Sequence, residues 1–167
     1  MIRSILALLL CATTVAAASK LPRPSPNLPI HLTPGQITPS QFKGKAVIVA
    51  LIMTACPHCQ ETVQYLSGVQ KEYGPRGLQV LAAAFNEDAI QQVPGFVQQF
   101  KPAFPLGYLS RPEVLQYLGQ ASMEEIWVPV LVFIDRKGII RHQHLGDDPF
   151  FNEGDKNIRA YIAELLK

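Results

Sequence analysis

Hydrophobic positions after residue 45 fall into two alternating patterns. The first is an apolar run rich in Val, Ile and Leu, which is typical of a strand buried on both faces. Runs and shorter stretches of this kind predict strands at 46–52, 78–85, 105–109, 130–134 and 139–145. The last two are separated by Asp135-Arg136-Lys137-Gly138, which predicts a hairpin turn with Gly138 at positive φ.

The second pattern places apolar residues three or four positions apart, which is typical of an amphipathic helix. Val63, Leu66, Val69 and Tyr73 follow this spacing and predict a helix over 57–73. Similar reasoning predicts helices at 88–100, 111–118 and 157–167. In the helix over 88–100, Pro94-Gly95 is expected to kink or split the helix, because proline removes a backbone donor.

The order of these elements predicts an α/β fold. Strands alternating with helices, followed by a hairpin and a closing helix, imply a mixed central sheet flanked by helices. We assign 36–167 to this single domain, and the 167-residue chain is long enough to bury a real core. Six prolines between 20 and 39 exclude a helix there. We therefore expect a Pro-rich N-terminal arm over 19–35, with 19–27 as a tether and 28–39 laid on the edge of the domain.

The first 18 residues have the pattern of a secretory signal peptide. Arg3 precedes an apolar or small stretch from Ser4, and Ala16-Ala17-Ala18 supplies the small residues of a cleavage site. An uncleaved signal anchor is the alternative, which the short apolar core makes weaker. We therefore expect an exported protein, periplasmic or extracellular. After cleavage, no apolar stretch reaches the ~20 residues of a stable membrane span. The net charge of +2 argues against a nucleic-acid partner.

Cysteine usage points to chemistry rather than to a structural disulfide. Removal of the signal peptide would take away Cys11 and leave Cys56 and Cys59. Two cysteines three positions apart close too short a loop to stabilise a fold much. In an oxidising compartment such a pair is better explained as a redox-active site.

The motif Cys56-Pro57-His58-Cys59 lies between a predicted strand and the predicted helix over 57–73. Pro57 suits the first position of a helix, which places Cys56 at the N-terminus, where backbone N–H groups favour an anion. We expect this position to favour the Cys56 thiolate, which is the attacking form. A partly protonated His58 would stabilise the thiolate further and make the disulfide a stronger oxidant. Cys59, one turn along, would close a disulfide onto Cys56.

With this motif placed, the span 36–167 resembles the thioredoxin-fold thiol–disulfide oxidoreductases. The extra strand–helix unit between Leu78 and Leu118 is similar to the exported TlpA/ResA-like branch. Phe42-Lys43-Gly44-Lys45 and Phe133-Ile134-Asp135-Arg136-Lys137-Gly138 also resemble that branch. The Cys-Pro-His-Cys tetrapeptide itself resembles that of the DsbA-type oxidases.

The resemblance implies a substrate site around Val128-Pro129. In the family a cis-proline at this place faces the cysteines, and the residue before it pairs with the substrate backbone. It implies that Pro57, Trp127, Val128 and Pro129 contact substrate, with Gly146 flanking the same groove. The implied partners are proteins with thiols or disulfides and a redox partner protein, with no cofactor and no metal.

The sequence also departs from the family. Many thioredoxins carry a buried acid six residues before the first cysteine, where Ala50 stands here, and a tryptophan just before the motif, where Ala55 stands. Glu87, after the second core strand, is at the place of a glutamate that approaches the active site in TlpA/ResA-like proteins. We therefore consider Glu87 as a catalytic acid or base beside Cys56, Cys59 and His58, the alternative being a solvated residue at a helix start.

Two other functions are open at the level of sequence. A thioredoxin-fold copper or metal carrier would use both cysteines and a histidine, but such carriers typically have three residues between the cysteines. A thiol peroxidase would have Thr or Ser where Met53 stands. His142 and His144 share one face of a predicted strand, which makes a metal site conceivable, although a solvated polar face explains them better. The direction of exchange, oxidation or reduction, stays open.

Overall fold

A computed structural model describes residues 20–121 and 125–167. The predicted signal peptide over 1–18 lies outside these residues. The strands are β1 Arg23–Pro24, β2 Ile30–His31, β3 Gln36–Ile37, β4 Ala46–Ile52, β5 Leu78–Ala84, β6 Leu106–Tyr108, β7 Val130–Ile134 and β8 Ile139–His144. The helices are α1 Pro57–Tyr73, α2 Ala89–Phe100, α3 Arg111–Leu118 and α4 Gly154–Leu165. No helix among the described residues is long and apolar enough to span a bilayer.

The strands form one mixed sheet in the order β1-β8-β7-β4-β5-β6-β2-β3. At its centre, β4 pairs parallel with β5 and antiparallel with β7. All seven residues of β4 are buried, because each face of the sheet is covered by its own apolar cluster. Successive residues point to opposite faces, so Ile48 and Ala50 enter one cluster while Val49 and Leu51 enter the other. This accounts for the continuous apolar run and confirms the predicted mixed sheet.

Helices cover the two faces unequally. α1, α2 and α4 pack on one face through residues such as Leu66, Phe96 and Ile162. The other face is covered by α3 and by Leu28 and Ile30 from the N-terminal segment. Because the carboxyl end of the central strand β4 leads into α1, the predicted Cys motif lies at the end of the most buried strand.

Residues 20–37, which we call the strap, cross the sheet from one edge to the other. β1 pairs with β8 at one edge, and β2 pairs with β6 near the opposite edge. Arg23 Nη2 donates to the Tyr117 carbonyl oxygen at 2.8 Å, and Leu28 is only 1% exposed. The expected tether over 19–27 is therefore wrong for its described part. Prolines exclude a helix, but they are compatible with short strands at a sheet edge.

Two helices differ from the sequence prediction. α2 is continuous, although Pro94 lies inside it. Pro94 and Ile90, whose carbonyl loses its donor, are both exposed, so water can satisfy that oxygen. α4 begins at Gly154, three residues before the predicted start, and follows a short 3₁₀ helix over Pro149–Glu153. The turn between β7 and β8 is as predicted, with Gly138 at φ 81°.

Candidate active site

The turn between β4 and α1 places Cys56 at the N-cap of the helix. Cys56 has extended backbone angles, φ −80° and ψ 118°, and Pro57 begins α1. The Cys59 N–H donates to Cys56 Sγ at 3.4 Å, and the Cys56 N–H donates to the Met53 carbonyl oxygen at 3.2 Å. The sulfur of Cys56 therefore accepts from a backbone donor at the N-terminal, positive end of the helix.

The two cysteines are free thiols in unequal environments. Cys56 is half-buried, whereas Cys59 is completely buried in the same cluster as α1 and β4. Burial raises the pKa of the Cys59 thiol, a backbone hydrogen bond with Met53 opposes the rise, and contact with Cys56 adds to it. One sulfur is thus accessible and the other is held as a protonated thiol in the core.

His58 faces solvent. Its side chain is 82% exposed, and Nδ1 lies 3.6 Å from Glu61 Oε2 one turn further along α1. A carboxylate therefore lies within ion-pair distance of His58. The influence of His58 on Cys56 stays a prediction.

The loop before β7 has the geometry that the resemblance implied. The Val128–Pro129 bond is cis, and Val128 packs on the same cluster as Cys56. The loop after β8 lies against it, since the Gly146 N–H donates to the Trp127 carbonyl oxygen at 2.9 Å. A Cβ at position 146 would stand 2.5 Å from the Val128 carbonyl oxygen, so only glycine fits this close approach.

A groove of about 400 Å³ joins the start of α1 to the cis-proline loop. Its walls include His58 and Tyr65 from α1, Val128 and Pro129 from the loop, and Asp155 from the start of α4. Trp127 does not line this groove. The Trp127 side chain is 54% exposed, so a large apolar ring lies on the surface next to Val128 in the chain.

Glu87 lies elsewhere. It is exposed and lines a separate cleft of about 410 Å³ together with His31, Tyr108 and Glu113. His58, Val128 and Pro129 line the same groove, whereas Glu87 lines the separate cleft. Glu87 is tied to the site only through its neighbour Asn86.

Sequence reasoning missed Thr54, the buried polar residue beside the motif. Thr54 is 7% exposed and is the one buried polar side chain within the described ranges. Its N–H donates to Asn86 Oδ1 at 3.1 Å, its hydroxyl donates to Gln92 Oε1, and its carbonyl oxygen accepts from Gln60 Nε2 at 2.9 Å. The signal in the sequence was a single hydroxyl two positions after the buried run 46–52, because a buried polar group needs partners.

Among the described residues, the cysteines have neither a buried acid at position 50 nor a metal-binding cluster. Ala50 is fully buried in the cluster that contains Cys59. His142 stacks on Tyr161 with ring centroids 3.8 Å apart, and His144 Nδ1 lies 2.9 Å from Asp148 Oδ2. Both histidines thus pack beneath α4 and its preceding turn instead of facing solvent as expected. Within 20–121 and 125–167, no group of three or more His, Cys, Asp or Glu could hold a metal ion.

Solved structures show the same architecture. A thiol:disulfide interchange protein of the thioredoxin family from Chlorobium tepidum has a TM-score of 0.72 at 22% identity, over 90% of this chain and all of that one. A thiol:disulfide interchange protein from Bacteroides sp. has a TM-score of 0.64 at 18% identity, over 84% of this chain and 91% of that one. These likenesses confirm the thioredoxin-like fold predicted from the sequence.

Sequence relatives include proteins that are named thiol-disulfide oxidoreductases. The thiol-disulfide oxidoreductase ResA of Bacillus thuringiensis subsp. konkukian is 26% identical over 106 residues, which cover 64% of this chain. The match spans 58% of the length of that relative. A profile of the Redoxin family matches residues 16–158, most of the chain, which therefore belongs to the Redoxin family.

Proposed function

We propose that this protein is a thiol–disulfide oxidoreductase that exchanges disulfides with protein substrates through Cys56 and Cys59. The observation that carries the proposal is the inequality of the two thiols. Cys56 is accessible at a helix N-terminus, and Cys59 is fully buried one turn along. This is the arrangement that a nucleophile and a protected resolving thiol need. The likeness to ResA, which bears the name of this activity, supports the proposal.

The exchange has two steps. The Cys56 thiolate attacks one sulfur of a substrate disulfide, an S–S bond forms between them, and the other substrate sulfur leaves with the electron pair. Cys59 then loses its proton and attacks Cys56 Sγ, which releases the second substrate sulfur as a thiolate. The substrate is reduced by two electrons and the Cys56–Cys59 pair is oxidised. The reverse sequence oxidises a substrate dithiol, and both directions use the same contacts.

Substrate binding is assigned to the cis-proline loop and the start of α1. Pro57 begins α1 directly after Cys56, Val128 and Pro129 line the groove at the start of α1, and an extended substrate segment would pair with the backbone of Val128. Trp127 precedes Val128 in the chain, and its exposed ring would cover apolar substrate side chains. The groove of about 400 Å³ gives room for residues that flank the substrate cysteine.

His58 and Glu87 have supporting roles in this proposal. His58 would stabilise the Cys56 thiolate from the solvent side. Glu87, in the neighbouring cleft, would receive the Cys59 proton only through intervening water, because no described contact joins the two residues. Export rests on the pattern of residues 1–18, which would place the protein in a periplasmic or extracellular, oxidising compartment with a separate redox partner.

The experiment uses two single variants and a model disulfide peptide. Cys56→Ser should abolish turnover, because the nucleophile is lost. Cys59→Ser should form a mixed disulfide between Cys56 and the peptide and then stop, which mass spectrometry detects. In the reduced wild type, iodoacetamide should label Cys56 much faster than buried Cys59. Peptide mapping assigns each label, since Cys11 is also in the chain. Faster labelling of Cys59 than of Cys56 would contradict the proposal.

A further inference from the structure

We propose that Thr54 is a positioning residue for the second step of exchange, because it fixes the turn next to Met53, whose backbone contacts both cysteines. This inference rests on the proposed function and extends it to a residue outside the Cys-Pro-His-Cys motif. Thr54 does not touch the reacting sulfurs. It acts through its neighbour Met53.

Met53 is the residue whose backbone contacts both cysteines. Its carbonyl oxygen accepts from the Cys56 N–H at 3.2 Å, and its N–H, in the preceding peptide, forms a hydrogen bond with the Cys59 sulfur. That second bond favours the Cys59 thiolate, the form that must attack in the resolving step. A shift of the backbone at Met53 would therefore weaken the bond that favours the Cys59 thiolate, whereas Cys56 would stay accessible to substrate at the start of α1.

Thr54 fixes the backbone next to Met53 through three hydrogen bonds. Asn86 Oδ1, in the loop after β5, accepts from the Thr54 N–H at 3.1 Å. Gln60 Nε2, from α1, donates to the Thr54 carbonyl oxygen at 2.9 Å. The Thr54 hydroxyl donates to Gln92 Oε1 on α2. The β4–α1 turn is thus fastened to α1, to α2 and to the end of β5 by a single residue.

The direction of these hydrogen bonds is set at the protein surface. Gln92 Nε2 donates to Asp88 Oδ2 at 2.8 Å, and an ionised carboxylate can only accept. This leaves Gln92 Oε1 facing inward, where it accepts from Asn86 Nδ2 at 3.2 Å and from the Thr54 hydroxyl. These hydrogen bonds therefore join the buried Thr54 hydroxyl to Asp88 at the surface in one connected network.

The test follows both steps with one reagent, dithiobis(nitrobenzoate), on the reduced full chain carrying Cys11→Ser. Cys56 attacks the reagent and releases one thionitrobenzoate, which is the first phase. Cys59 then attacks Cys56 Sγ, loses its proton to solvent and displaces the second thionitrobenzoate, which is the second phase. The two phases separate the nucleophilic step from the resolving step.

We expect Thr54→Val to slow the second phase about three- to tenfold, the rate equivalent of one net hydrogen bond, and to leave the first phase within about twofold. Thr54→Ser, which keeps the hydroxyl, should restore both phases. Asn86→Ala removes the acceptor from a partly exposed loop position and should slow the second phase in the same way, even where Thr54→Val does not fold.

The matched control is Ser67→Ala. The Ser67 hydroxyl is part-buried on α1, donates to the Val63 carbonyl oxygen at 2.9 Å and accepts from the Ala103 N–H at 3.3 Å. Its loss should lower the melting temperature and leave both phases unchanged. The inference is overturned if the second phase is unchanged in folded Asn86→Ala, or if Ser67→Ala slows it equally. A wild type without any second phase would instead overturn the proposed function.

Discussion

At the scale of single residues, two exposed side chains of opposite charge, His58 and Glu61, lie at the start of α1 next to Cys56 in the chain. The side chains of His58 and Glu61 are 82% and 78% exposed, with 3.6 Å between Nδ1 and Oε2. Exposed charges are screened by water, so each contributes little to the free energy of the nearby thiolate. The sequence suggested that His58 makes the disulfide a stronger oxidant, whereas the structure adds the opposing carboxylate of Glu61, 3.6 Å from His58.

Substitution of His58 and substitution of Glu61 should shift the redox potential in opposite directions. His58→Asn should make the Cys56–Cys59 couple more reducing, and Glu61→Gln should make it more oxidising, because each removes a charge of opposite sign. Each shift should be about 5–20 mV, which corresponds to about 0.2–1 kcal/mol for a two-electron couple. Equilibration with a glutathione buffer measures both. Shifts of the same sign in the two variants would refute the electrostatic explanation.

At the scale of elements, the β7–β8 hairpin depends on one carboxylate. Asp135 accepts from the N–H groups of Lys137 and Ile139 at 2.9 and 3.0 Å, and Arg141 Nη2 lies 2.7 Å from its Oδ2. Burial alone would raise the pKa of Asp135, but these hydrogen bonds and the guanidinium outweigh it and lower the pKa. This hairpin carries the cis-proline loop at one end, so its stability bears on the candidate active site.

Asp135→Asn should therefore destabilise the protein in a pH-dependent way. A carboxyl with a lowered folded-state pKa contributes stability above its unfolded value, near ~3.9, and loses it as the pH falls through the folded value. We expect the variant to lose about 1–2 kcal/mol at pH 7 and progressively less below pH ~4. Urea unfolding across that range measures the difference. Asp147→Asn, at an exposed carboxylate, is the control, and a pH-independent loss in Asp135→Asn would contradict the assignment.

At the scale of the whole molecule, the strap completes the second core. Leu28 and Ile30 are 1% and 0% exposed and cover the sheet face opposite α1. Arg23 adds polar contacts, since Nη2 donates to the Tyr117 carbonyl oxygen at 2.8 Å and to Gln143 Oε1 at 3.1 Å. The strap is therefore part of the folded domain and not a flexible extension in front of it.

Leu28→Ala should cost about 2–5 kcal/mol of unfolding free energy, because it leaves a cavity in a closed core. Ile90→Ala, at a large aliphatic residue that is 49% exposed, should cost less than about 0.5 kcal/mol. Chemical denaturation of both variants gives the comparison. Equal and small losses would show that the strap contributes little to stability.

The sequence predicted the features that neighbouring residues in the chain determine, and it missed features that depend on residues distant in the chain. The run from Ala46 to Ile52 and the Cys56 N-cap are set by neighbours in the chain, and both were predicted. The pairing of β1 within 20–27 was not, because proline suits a tether and an edge strand equally well, whereas 28–39 was expected on the edge of the domain. The Thr54 network was not, because Asn86 and Gln92 lie 32 and 38 residues away and only the parallel pairing of β4 with β5 brings them close.

The course of the strap also has a consequence for the order in which the protein can fold. Arg23 leaves the ribosome early, but its partner Gln143 follows 120 residues later, and the strands β6 and β8 that the strap borders are likewise made after it. Contacts between such distant parts of a chain form slowly, because the intervening loop must close first. During synthesis the strap has no sheet to lie on. Until it docks, both edges of the sheet present unpaired backbone groups that can pair with other chains. The strap is therefore made before the strands that it borders, and both sheet edges stay open to other chains until it docks.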